Sequence, residues 1–336
     1  MNRFLAFSTF LLTLVPSWAS HAQGSSPLLA RTIQLPAELA ERENQFSGLC
    51  TYRSQLLLLS ESRLQEQAEA KVYSLALADL DQQLAGRPVQ LPFRKYAIRG
   101  LDKARARIDA GGPIYEGLEG LTVLRDTAYF SIETVTAAAN CYLVRGVLDE
   151  ARNVIQLDSS YLMALPKPLL PDGTHAYNAG FEALATYRNR ELLALFEYNY
   201  LPRSNAAVAL RNGRQRPVAL PPLPFRVTDL EPAGGRRFTA INYFFNGASD
   251  AVYRMAPPDP NARLIQDSAG RYQNYSRLIS LRYKRHRLSW KPLLTLPAEY
   301  QTYNWEGLAA YKRGFFLIND KYGPSGQSTL LYLRRR

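Results

Sequence analysis

The 336 residues point to an all-β fold, a β-propeller of five or six four-stranded blades whose ring is closed by an N-terminal strand. Three observations carry this expectation. A short phrase recurs, an apolar residue followed by an acid, a small residue and leucine: Leu118-Glu119-Gly120-Leu121, Phe181-Glu182-Ala183-Leu184 and Trp305-Glu306-Gly307-Leu308. Phe46-Ser47-Gly48-Leu49 and Asp229-Leu230 are looser copies. A second polar residue follows each leucine at a nearly fixed distance: twelve residues on to Glu61, Glu133, Asn242 and Asp320, and thirteen on to Glu197. The runs between the two marks are short, apolar and rich in β-branched and aromatic residues, which suits paired strands better than buried helices. Units repeating every several tens of residues imply a stacked or radial architecture.

In chain order, the first element is a leader. Arg3, the apolar run from Phe4 to Val15 and the small residues around Ala22 form a secretory signal, residues 1–22, which leaves residues 23–336 as a single propeller domain. The apolar run is short of the roughly 20 residues a membrane span needs. An uncleaved anchor is the alternative; with the signal removed, no transmembrane segment is expected, and the product is exported to a periplasmic or extracellular space.

The segment from Ala30 to Pro36 resembles the outer-strand endings Leu294-Thr295-Leu296-Pro297 and Val218-Ala219-Leu220-Pro221, and it is read as the closing strand. Each phrase then opens a hairpin, as in Leu121 to Leu124, a turn at Arg125-Asp126, and Thr127 to Ile132. Two further strands follow in the first copy (Lys71–Leu77, Arg94–Ile98), the second (Cys141–Val144, Asn153–Leu157) and the fourth (Arg277–Tyr283, Leu288–Leu293). The last copy has one further strand, Thr329–Leu333, so the N-terminal segment completes its blade. The gap from Asn242 to Tyr275 leaves room for part of a sixth blade. A two-sheet sandwich, also built from short strands and turns, is the rival architecture.

A hydrophobic content of 46%, with 21 Tyr and 14 Phe, suits buried strands. Export permits a disulfide between the two cysteines, Cys50 and Cys141, and two buried thiols are the equal alternative. The formal charge of +12 favours anionic partners: a phosphate ester or other anionic small molecule, an acidic polysaccharide or an acidic partner protein. No nucleic-acid module accompanies the charge, so nucleic acid is not expected. The basic run Arg282-Tyr283-Lys284-Arg285-His286-Arg287 reads as a solvated hairpin turn.

A hairpin returns the end of its second strand to the start of its first. The marked acids therefore share one rim, with Glu119, Glu182, Asp229 and Glu306 around the axis and Glu61, Glu133, Glu197 and Asp320 beside them. Raised pKa values, pairing with arginine or a bound cation would relieve their repulsion. Ca²⁺, a hard cation taking six to eight oxygens, suits such a set, with Glu119, Glu182, Asp229, Glu306 and Asp320 as ligands. The alternative is structural, the acids accepting backbone N–H groups from neighbouring blades. Glu182, Glu306 and the rim-loop residue His175 are the candidate catalytic groups. Arg63 and Lys321, each close after a rim acid, are candidates for binding a substrate anion. The chain has no Gly-x-Ser-x-Gly elbow, zinc spacing or Gly-rich phosphate loop.

Asn178-Ala179-Gly180-Phe181-Glu182-Ala183-Leu184-Ala185 resembles the Asn-x-Gly-x-Glu-Ala-Leu-Ala phrase of the "esterase-like activity of phytase" family. Asn304-Trp305-Glu306-Gly307-Leu308-Ala309, with Ile318-Asn319-Asp320, is similar to its closing blade, and Asp229-Leu230, Phe46 to Leu49 and Ser60-Glu61-Ser62 fit in order. The resemblance runs from about Phe46 to Leu333. It implies an exported, calcium-binding propeller with phosphoesterase or esterase activity. The chain departs from the pattern at Ile241-Asn242-Tyr243, where the family has a Glu-Arg pair, and at Ser47, where it has an acid. The two functional expectations are thus a Ca²⁺-dependent ester hydrolase and a non-catalytic propeller that binds an anionic ligand or a partner protein.

Overall fold

The computed structural model describes residues 28–61, 71–200, 206–248, 250–255, 257–320 and 326–335. The expected signal segment 1–22 and the candidate anion-binding residues Arg63 and Lys321 lie outside them.

Five antiparallel sheets form, one on each copy of the repeated phrase. Blade 1 holds β2 (Phe46–Tyr52), β3 (Gln55–Ser60), β4 (Lys71–Ala76) and β5 (Phe93–Arg99). Blade 2 holds β6 (Tyr115–Leu124), β7 (Thr127–Thr134), β8 (Asn140–Asp149) and a divided outer strand, β9 (Val154–Leu157) and β10 (Met163–Pro166), both paired with β8. Blade 3 is β11 (Ala183–Tyr187), β12 (Glu191–Leu195), β13 (Ala207–Arg211) and β14 (Arg214–Pro217). Blade 4 is β15 (Leu230–Pro232), β16 (Arg237–Phe244), β17 (Tyr275–Lys284) and β18 (Arg287–Thr295). Blade 5 is β19 (Trp305–Tyr311), β20 (Gly314–Asn319), β21 (Leu330–Arg335) and β1 (Leu28–Ile33). The chain is a five-bladed β-propeller, closed where β1 pairs antiparallel with β21 from Leu28↔Arg335 to Ile33↔Leu330.

The side chains explain why the sheets form a ring. Alternate residues of a strand point to opposite faces, and here both faces are buried. In Leu56-Leu57-Leu58-Leu59, Leu56 and Leu58 enter the core shared with blade 5, whereas Leu57 and Leu59 enter the core shared with blade 2. Five such cores occur, one between each adjacent pair of blades. A sandwich would have one core between two sheets, so this arrangement rules it out.

The innermost strands β2, β6, β11, β15 and β19 each abut the next around the axis. There the small residue of the repeated phrase has its purpose. A Cβ on Gly48 would come within 3.2 Å of the Leu121 nitrogen, and one on Gly307 within 2.8 Å of the Leu49 nitrogen.

Two open alternatives are decided and one strand is moved. Among the described residues, the chain between Phe244 and Tyr275 holds a turn of 3-10 helix (Ala251–Tyr253) and a short helix (Ala262–Ile265) but no strand of a sixth blade. The outer strand of blade 3 is Arg214–Pro217, one turn earlier than the Val218–Pro221 segment, which instead ties to blade 4: Ala219 N–H donates to the His286 carbonyl at 2.9 Å. Cys50 and Cys141 are free, buried thiols in different inter-blade cores. A parallel pairing of β5 with β9 also fuses the outer edges of blades 1 and 2.

Candidate functional site

The phrase acids open the inner strands and the second acids close the neighbouring strands, so both sets reach the same end of the ring. Gly117 and Gly180, two residues before Glu119 and Glu182, receive the acids of the preceding blades. A Cβ on Gly117 would strike the Glu61 carboxylate, and one on Gly180 would press on the Glu133 side chain at 3.4 Å. Glu61 and Glu133 therefore lean across the gap onto the next blade.

Asp229 is set apart from the other acids. Its Oδ1 accepts the Leu230 N–H at 2.7 Å, and its Oδ2 accepts the N–H of Leu308 in blade 5 at 2.6 Å and of Leu49 in blade 1 at 3.5 Å. Burial pushes its pKa up against these three donors. The geometry suits the carboxylate, because an acid proton would meet donors only. Of the proposed metal set, this residue is a clamp across three blades, which is the structural alternative.

The centre of the site is Arg226, which the sequence reading missed. It is 5% exposed and meets the Glu197 carboxylate, while its Nε and Nη2 lie 3.0 and 2.9 Å from Asp250 Oδ1. Its guanidinium also lies over the Tyr253 ring, 5.0 Å from the centroid. Glu197 is among the neighbours that act on Glu182, so the two carboxyl groups titrate as a pair. Burial pushes Glu197 up to about 7 against the pull of Arg226. Burial, followed by the neighbouring Glu197 and Glu306, holds Glu182 well above the usual carboxylate range. Glu182 Oε2, Glu197 Oε1 and Glu133 Oε1 are buried without a hydrogen-bond partner.

A second couple lies beside the first. Tyr243 O–H donates to Glu306 Oε1 at 2.8 Å, and burial with the nearby Asp320 raises the Glu306 pKa well above the ordinary value. Glu133 is raised to about 8 by burial, then by Glu197 and Glu116; Lys167, whose Nζ donates to the Thr134 and Val135 carbonyls at 2.7 and 3.0 Å, opposes this. At the fourth-blade position Asn242 replaces the acid. Its Nδ2 donates to the Pro224 and Arg226 carbonyls, and its Oδ1 accepts from Arg277 Nε at 2.7 Å.

Of the residues expected at the rim, Glu182, Glu306, Glu119 and Asp320 act on one another electrostatically. His175 stands apart: its Nδ1 lies 3.1 Å from the Pro168 carbonyl of its own loop. Among the described residues, no three His, Cys, Asp or Glu side chains gather into a set that could hold a metal ion. Arg226 is a cation among these carboxylates. Two of the three foreseen ways of relieving the repulsion, protonation and an arginine, are built in. An arginine inside the apolar run Leu223-Pro224-Phe225-Arg226-Val227, three residues before a phrase acid, was the available signal.

No protein-family model matches the chain, and no curated protein matches it. Solved structures similar over most of its length include a glucose dehydrogenase (11% identity, 90% of this chain and 98% of that one, TM-score 0.44) and the soluble aldose sugar dehydrogenase of Escherichia coli (8%, 92% and 100%, 0.47). A third is the catalytic domain of a GH62 α-L-arabinofuranosidase from Coprinopsis cinerea (8% identity, 92% of this chain and 97% of that one, TM-score 0.49). At such identities and scores these likenesses decide nothing about chemistry, and the propeller assignment rests on the sheet order and the ring of cores.

Proposed function

We propose that the chain is an exported hydrolase that cleaves an uncharged ester at the carboxyl-lined end of its channel. The observation that carries this reading is the Glu182–Glu197–Arg226 arrangement. Arg226 favours the ionised form of Glu197, whereas burial and the neighbouring Glu197 and Glu306 hold Glu182 toward its neutral acid form. Glu182 is 7% exposed and Glu197 not at all, so Glu182 is the nearer of the two to solvent. It would protonate the leaving oxygen while Asp320, the acid that raises Glu306, takes a proton from the attacking water.

The excess of carboxylates favours an uncharged substrate over a phosphate ester. Two like charges 4 Å apart at a protein surface repel by about 4 kcal/mol. No step here runs through a metal. Calcium, phosphate-ester hydrolysis and roles for His175, Arg63 and Lys321 belong to the phytase-like variant of the proposal.

The second reading is a non-catalytic propeller, favoured by Asp229, whose carboxylate serves only to join blades. The experiment is hydrolysis of p-nitrophenyl acetate and p-nitrophenyl phosphate by residues 23–336, with EDTA or a calcium series, in the parent and in Glu182→Gln. The proposal expects acetate cleavage that survives EDTA and falls about 100-fold or more in the variant at unchanged melting temperature. Phosphate cleavage dependent on calcium would replace it with the phytase-like variant. Inactivity on both, with a melting loss in Glu182→Gln, would establish the structural reading.

A further inference from the structure

Because the inner strands begin at the carboxyl end, the turns joining strands one to two and three to four lie at the opposite end of the ring. At that end, between blades 3 and 4, lies a cavity of about 710 Å³. Its walls carry Arg211, Arg214, Arg216, Arg236, Lys284 and Arg285, all exposed, and a single acid, Glu191. Among the described residues none of these six cations is ion-paired. Glu191 is occupied, accepting the Tyr283 hydroxyl at 3.0 Å.

The turn Lys284-Arg285-His286-Arg287 is thus a hairpin turn, as expected, and also one wall of this cavity. Two further hollows continue it. One of about 330 Å³ shares Arg211 and Asn212 and adds Arg125, Arg145 and Arg190. One of about 630 Å³ shares Arg236 and adds Arg237, Arg282 and Lys291. No acid lines either.

We infer that these three linked hollows form a binding track for an acidic polysaccharide, a linear chain bearing carboxylate or sulfate groups. Ten of the twelve cations are arginines, whose planar forks grip such oxyanions through two hydrogen bonds at once, although that of Arg145 already holds Asp158 at 2.9 Å. Cations this crowded raise the local concentration of anions and are relieved by them. A linear ligand fits because the hollows are neighbours that share wall residues, Arg211 and Asn212 on one side and Arg236 on the other. Single-stranded nucleic acid fits less well, since its bases need exposed aromatic platforms. Here the rings are engaged with their neighbours: Tyr187 and Tyr283 pack edge to face with centroids 5.0 Å apart, Tyr129 and Tyr161 do so at 6.3 Å, and the guanidiniums of Arg145 and Arg277 lie over Tyr161 and Trp290.

The test is fluorescence anisotropy of fluorescein-labelled polygalacturonate with residues 23–336 across a salt series. Binding that falls steeply with salt is expected. Arg214→Glu/Arg216→Glu, on an exposed outer strand, weakens it about tenfold or more, and Lys284→Glu/Arg285→Glu does the same from the other wall. Arg99→Glu/Lys103→Glu changes the net charge equally on exposed residues of blade 1 and the helix after it, and leaves binding within about twofold. Glu182→Gln binds like the parent, which separates this track from the carboxyl end. Equal weakening by the blade 1 control would overturn the proposal in favour of net charge alone. So would single-stranded DNA displacing the probe better than unlabelled polygalacturonate, or neutral dextran displacing it at all.

Discussion

A Cβ placed on Gly120 would sit 2.3 Å from the carbonyl oxygen of Glu182, on the adjacent blade. In the copies that carry glycine the phrase is therefore a contact rule: the residue after the marked position must be small because the next inner strand passes over it. Gly120→Ala would force two backbones apart and should cost about 1–3 kcal/mol or more in denaturant unfolding. Gly48→Ala, meeting Leu121 N at 3.2 Å, should cost distinctly less. Equal losses would contradict the rule.

Asp229 joins blades 1, 4 and 5 through three backbone donors. Asp229→Asn turns a donor toward one of those N–H groups and should destabilise the chain by about 1–3 kcal/mol. The loss shows as a lower midpoint in urea with the slope unchanged, and calcium does not restore it.

Arg226→Met strands Glu197 and Asp250 in a buried site and should cost about 3–5 kcal/mol. Adding Glu197→Gln to it should recover a substantial part, because the stranded charge is then gone. A double variant as unstable as the single would show that Arg226 acts through packing on Tyr253 instead.

The pH dependence has a definite sign. Glu197 and Glu133 ionise near 7 and 8 in the folded chain, against an ordinary 4.5. Between those values the folded state holds protons that the unfolded state has released. Stability from these groups is full below about pH 4.5 and declines as pH rises to about 8, by up to about 1.4 kcal/mol per pH unit for one group. Melting should therefore fall from pH 5 to pH 8, and Glu133→Gln should flatten that slope.

Much of the ring was legible in the sequence because its determinants are local. The repeated phrase marks each inner strand, the offset to the second acid marks the hairpin, and Ala30 to Pro36 reads as an outer strand by its own composition. The acids' shared rim follows from hairpin geometry alone. Arg226 did not show, because its importance lies in contacts with Glu197 and Asp250 that no repeat encodes. The outer strands of blade 3 were obscured because Arg214–Pro217 is exposed throughout and carries no apolar alternation. The basic run at Arg282–Arg287 displayed its turn but not its neighbours, since a cavity wall depends on which other turns arrive beside it.

The pairing of β1 with β21 divides the molecule by how it must be made. Blades 1 to 4 each draw their strands from one stretch of chain, whereas blade 5 needs segments about 300 residues apart to meet. Closing a loop of that length costs about 5 kcal/mol in chain entropy, and the seam repays it only when both strands are present. During synthesis the first four blades have all their material while the fifth still lacks its centre. The order of events is then fixed by topology: local blades first, the seam last. A chain stalled before Leu330 would expose the unpaired edge of β20.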